Sequence, residues 1–168
     1  MTMWLMIRWY RWPARALALA LATAAAAPAA AAETQGEWRF AVAPFTIHWR
    51  PSPEHKPVWA IGVERQRADG ALGGVSFFSN SFGQDSSYYY IGQRYPGIGG
   101  RPEAYFLWSA GLLYGYRGQY ENKVPLNHNG FSPGALVALG WMVDREASAQ
   151  LNVLGDAGVM LQLNYAFR

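Results

Sequence analysis

Residues 149–167 read AQLNVLGDAGVMLQLNYAF, two alternating runs around a tight turn. In the second run Val159, Leu161, Leu163, Tyr165 and Phe167 share one face. Gly158, Met160, Gln162, Asn164 and Ala166 share the other. Side chains of a strand alternate with period two. One face is therefore wholly apolar with an aromatic end, and the other is small or polar. That is the pattern of a strand with lipid outside and a packed lumen inside. A soluble sandwich strand can show the same alternation. Two further features favour the membrane: an export leader at the start, and repetition of the pattern through the rest of the chain.

Residues 1–32 read as a cleaved signal peptide. Arg8, Arg11 and Arg15 form its basic region, residues 16–27 an apolar run of Ala and Leu, and Ala30, Ala31 and Ala32 the small residues before a cut at Glu33. The apolar run is shorter than the roughly 20 residues a spanning helix needs. Removing the three leader arginines brings 14 basic residues level with 11 acidic ones, so the high pI belongs to targeting. The charge gives no support for nucleic-acid binding. Residues 33–168 form one domain without cysteine. Stability must come from something other than disulfides, and closing a sheet into a barrel supplies it. Aromatics, 15% of the chain, suit interfacial girdles of Trp and Tyr.

Turn residues cut residues 33–168 into eight segments. They span about 40–49, 58–67, 71–79, 86–95, 104–116, 134–143, 147–154 and 158–167, with a polar loop over 117–133. This predicts an all-β fold: an eight-stranded antiparallel transmembrane barrel, just wide enough for side chains or one small ligand. Small inward residues (Gly62, Gly74, Gly111 and Gly140) would leave room for something slim, or merely ease packing and curvature. With the first strand starting on the periplasmic side, connections after strands one, three, five and seven face outward. His48, ending strand one, and Asn80–Ser81, ending strand three, then converge on the outer rim.

All three histidines (His48, His55 and His128) fall on that outer side. An imidazole serves as a base near neutral pH. Ser81 is a candidate nucleophile or hydroxyl donor, and Asn80 a candidate to orient the histidine or stabilise an oxyanion. From spacing alone, the same residues read more readily as ordinary rim groups. No metal-ligand spacing is present. The run Tyr88-Tyr89-Tyr90 reads as barrel wall.

Several short motifs run in order along the chain. Phe45-Thr46-Ile47-His48-Trp49 resembles the strand-one motif of the lipid A palmitoyltransferase family (PagP-type), whose aliphatic-Thr-Trp-His segment holds an essential histidine. The stretch 73–81, GGVSFFSNS, followed by Phe82, resembles the segment holding that family's Asp-Ser pair. WSAGLL at 108–113 is similar to its Thr-Ala-Gly segment. Residues 123–126 and 133–136 resemble its proline-rich loop and the start of its sixth strand. The resemblance implies transfer of an acyl chain, usually palmitate, from a phospholipid donor to a lipid A hydroxyl in the outer membrane. It implies a monomer needing no cofactor. It places the catalytic histidine on His48 and the catalytic serine on Ser81, as nucleophile or polariser. Asn80 stands where the family has aspartate, and an amide cannot act as a carboxylate base. The acyl-measuring glycine is assigned to Gly92. Two more departures stand out. Only residues 33–39 precede the first strand, too few for the family's amphipathic clamp helix, and Arg168 follows the terminal Phe167. Two other functions remain open: a non-catalytic small barrel, and an acyl hydrolase acting on lipid A or phospholipid.

Overall fold

The computed structural model describes residues 36–167. The leader, its cleavage before Glu33, and Arg168 lie outside them. Eight strands follow one another: β1 (Glu37–His48), β2 (Ala60–Gln66), β3 (Ala71–Ser79), β4 (Asp85–Pro96), β5 (Ala104–Tyr114), β6 (Phe131–Met142), β7 (Ala147–Val153) and β8 (Gly158–Phe167). Each pairs antiparallel with its neighbours, and β1 pairs with β8, so the sheet closes into a barrel. Closure gives every strand a partner on each side, which lets a sheet satisfy most of its backbone within hydrocarbon.

The outward faces carry the apolar residues that the alternation assigned to them. Ile61, Ile91, Val137, Leu139, Leu151 and Leu163 are exposed around the middle. Trp38, Tyr95, Trp141, Tyr165 and Phe167 ring one end, and Trp49, Trp59, Phe77 and Phe131 the other. An apolar band between two aromatic girdles is the exterior of an outer-membrane barrel. The connections 67–70, 97–103 and 143–146 are short and share one end with Trp38. The longer connections 49–59 and 115–130 lie at the other end, with His48. Short turns mark the periplasmic end of such barrels.

Two strands depart from the sequence reading. β6 begins at Phe131, inside the stretch expected to be loop. Its neighbour there is β5 alone: β6 meets β7 only from Val137 to Met142. In β1, Val42 lies opposite Leu163 and Phe45 opposite Leu161, so three steps on β1 match two on β8. The extra residue is a bulge at Ala43–Pro44. Proline has no N–H to give the ladder and is tolerated at such places.

The lumen is divided by a packed layer. Leu72, Tyr105, Leu107 and Ala138 form a buried cluster, with Tyr90, Leu136 and Met142 against it. Beside it runs a polar network. Tyr105 Oη donates to Gln150 Oε1 at 3.0 Å, Gln150 to Asn152, Asn152 to Gln162 and Gln162 to Asn164. Buried amides linked in this way escape the cost of lying unpaired. Two of the inward glycines are filled by the chain itself. The Tyr105 ring occupies the space over Gly140, and a Cβ on Gly74 would lie 2.7 Å from Tyr90 Oη. Gly62 lines the upper cavity, yet a Cβ there would lie 2.7 Å from Ser76 Oγ and 2.9 Å from the Val75 carbonyl.

Candidate functional site

Without the bulge, the alternation that turns Arg39, Ala41 and Ala43 inward would turn Phe45 and Ile47 inward too. The extra residue reverses it. Phe45 and Ile47 are exposed to the outside, while Thr46 and His48 are partly buried. The Trp49 N–H then donates to Ala157 O at 3.1 Å and ties this end of β1 to the turn before β8.

Ser81 stands on the β3–β4 turn. The Asn80 side chain builds that turn: its Oδ1 accepts from the N–H groups of Phe82 (2.9 Å) and Gln84 (3.1 Å). The Lys56 N–H donates to Ser81 O at 2.8 Å, fixing the turn to the β1–β2 connection. The result brings His48 Nε2 to 2.7 Å from Ser81 Oγ across 33 residues of chain. A ring nitrogen at that distance takes a hydroxyl proton directly.

Asn80 does not join them. It is 1% exposed, and its Nδ2 donates to Ser86 Oγ at 3.2 Å and toward Gly115 O at 3.5 Å. With both ends of the amide engaged, it neither orients His48 nor points at a reacting atom. Its part is to hold the turn that presents Ser81. Two other residues, His55 and Tyr116, lie beside the pair. The His55 ring lies 4.2 Å from the His48 ring, centroid to centroid. The Tyr116 phenol faces Ser81 from the β5–β6 connection. Burial pushes this phenol above its usual range, while the Ser81 hydroxyl beside it acts the other way, so Tyr116 keeps its proton at neutral pH. His55 was visible as a third outer-side histidine, whereas nothing in its neighbours marked Tyr116. His128 lies apart, its Nε2 accepting from Asn129 Nδ2 at 3.2 Å.

Below the pair opens a cavity of about 340 Å³. Ala41, Ala43, Val58, Ala60, Leu107 and Leu113 wall it, and Glu64, Tyr90, Gln150 and Asn152 lie along its floor. From His48 down to Ala41 it follows seven residues of β1. The bulge takes up one of these steps, so at about 3.3 Å per residue and a tilt near 40° the span is roughly 15 Å of barrel axis. Gly92 is not part of it. It sits between inward-facing Tyr90 and Arg94, where a Cβ would lie 3.0 Å from Leu72 and collide with the Trp108 carbonyl. The expectation that Gly92 measures an acyl chain is corrected accordingly: its space is taken by the strand next to it.

The wall of the cavity is incomplete in two places. β1 pairs with β2 only up to Ala43, leaving residues 44–48 without a partner on that side. Residues 131–136 of β6 have none from β7. Pro44 lies in the first gap and Pro133 in the second, each removing one N–H that lipid would leave unpaired. Outward-facing Ile61 and Ala135 border the cavity at these gaps, so it opens sideways as well as upward.

No family model matches the chain, and no curated protein matches it. Among solved structures it is similar to the outer membrane protein Ail of Yersinia pestis, determined in a phospholipid bilayer nanodisc. The two are 15% identical with a TM-score of 0.41, over 79% of this chain and 100% of that one.

Proposed function

We propose that this barrel is an outer-membrane acyltransferase that moves a fatty acyl chain, palmitoyl by its family resemblance, from a phospholipid to a hydroxyl of lipid A. The observation that carries this reading is the 2.7 Å contact between His48 Nε2 and Ser81 Oγ at the mouth of an apolar, laterally open cavity. A lipid tail can pass through a gap in the wall without its ester leaving the membrane. The apolar walls then hold the tail and place its carbonyl at the rim.

The chemistry needs no redox partner or cofactor. Ser81 Oγ attacks the ester carbonyl and gives its proton to His48 Nε2. His48 returns that proton to the departing glycerol oxygen, releasing a lysophospholipid. The acceptor hydroxyl then passes its proton to His48 and attacks the acyl-serine, and the serine oxygen takes the proton back. Tyr116, protonated beside Ser81, is placed to donate to the oxyanion. The protein acts as a monomer.

A second reading, a non-catalytic small barrel, is favoured by one observation. Among the described residues no carboxylate hydrogen-bonds His48, and Asn80 is committed to the turn. The two readings separate in vesicles containing purified barrel, lipid A and a phospholipid with an isotope-labelled acyl chain. Label on lipid A supports the transferase. Labelled free fatty acid alone makes the protein a hydrolase, and label that stays on phospholipid makes it a structural barrel.

A further inference from the structure

The periplasmic half of the lumen contains a second space that the proposed reaction does not use. It measures about 400 Å³ and is bordered by Arg39, Gln66, Asp69, Arg94, Tyr105 and Met142. The buried layer around Tyr105 and Leu107 separates it from the upper cavity. Two arginines inside a barrel need counter-charges. Arg39 is 3% exposed and Arg94 5%. Arg39 bonds Glu37 through Nη2 alone, and its Nε and Nη1 are buried with no partner. Arg94 lies over the Tyr105 ring at 4.1 Å, with Met142 Sδ at 3.9 Å from its Nη1. Its Nε is also without a partner, and among the described residues it has no ion pair. Glu64 and Glu37 lie close enough to act on these arginines through space, but only Glu37 hydrogen-bonds one of them. Glu64 borders the upper cavity and accepts from Tyr90 Oη at 3.3 Å, and Asp69 pairs with Arg67 at 3.1 Å. The Gln66 side-chain oxygen is buried unpaired beside the same space.

We propose that Arg39 and Arg94 bind a small phosphate-type oxyanion entering the barrel from the periplasmic side. Guanidinium forks match the spacing of phosphate oxygens and make charge-assisted pairs with them. Two forks from β1 and β4 reach such an ion from different sides, and Gln66 accepts from a hydroxyl it carries. The bound anion accepts from the guanidinium N–H groups that the carboxylates leave unpartnered, and it joins strands that are not neighbours in the sheet.

The test uses the full barrel refolded in phosphate-free non-ionic detergent. Inorganic phosphate is titrated at constant ionic strength while the arginine Nε–H resonances are followed by NMR. The expected result is saturable movement of the Arg39 and Arg94 signals together, at least tenfold weaker in Arg94→Gln. Met142→Glu provides a check independent of folding losses. It places a carboxylate beside Arg94, so phosphate binding should vanish while the heat-modifiable gel shift of the folded barrel remains. Glycerol 3-phosphate distinguishes the sources: tenfold tighter binding than inorganic phosphate assigns a lipid headgroup, equal binding a free ion, and either supports the site. No saturation beyond a chloride control, or unchanged binding in Met142→Glu, would overturn the proposal.

Discussion

The bulge at Pro44 keeps His48 facing inward. It adds one residue to β1 against β8, and four positions later the imidazole turns inward to Ser81 instead of outward to lipid. A strand has only two faces, so an extra residue would exchange them unless a bulge absorbs it.

Deleting Pro44 should therefore cost little, because it removes the extra residue itself. Ala43 would lead directly to outward Phe45, and Thr46 and His48 would keep their inward places opposite β8. Acyl transfer should stay within a few-fold of wild type, while the barrel keeps its heat-modifiable gel shift. A fall to the level of His48→Ala would show that the bulge does more than absorb one residue.

Asn80 is expected to matter for stability before chemistry. Asn80→Asp restores the residue that the resembled family has at this place. Here it would replace a donor to Ser86 Oγ and Gly115 O by a buried carboxylate. The loss should be about 1–3 kcal/mol, the cost of buried polar groups left unsatisfied. Thermal or denaturant unfolding in lipid measures it. A substitution that leaves stability unchanged and raises kcat would instead place this side chain in the reaction.

Much of this was legible in the chain, and the remainder has physical reasons. Period-two alternation identified the strands and faces of β2, β5 and β8, and counting connections brought His48 and Ser81 to one rim. The expected start of β6 falls three residues late because Pro133 is a turn former, yet here it lies in a strand paired on one side only. The bulge leaves no mark beyond a proline. The role of Asn80 depends on where its amide points, and Gly92 was misplaced because cavity depth depends on how far Tyr90 and Tyr105 reach inward. Neither is a property of local sequence.

Tyr116→Phe isolates one hydroxyl. Removing a single hydrogen-bond donor of about 1 kcal/mol should lower kcat roughly five- to tenfold with KM unchanged, since the ring stays in place. A change confined to KM would make Tyr116 a wall of the acyl site and nothing more.

Cavity depth should respond at Ala41 and not at Gly92. Ala41 is the lowest apolar residue that β1 contributes to the cavity. Ala41→Met should shift the transferred chain toward acyl groups shorter by two or more carbons, read by mass spectrometry of the product. Gly92→Ala should leave chain length alone and destabilise the barrel, because its Cβ would meet the backbone of β5. The opposite pattern would return the acyl ruler to Gly92.

The most direct test of the account is mass spectrometry of lipid A from cells producing this barrel, its His48→Ala variant or its Ser81→Ala variant, each confirmed folded in the outer membrane. The account predicts a lipid A species heavier by one acyl chain in cells with the unaltered protein, and its loss in both variants. Lipid A identical in all three would contradict it.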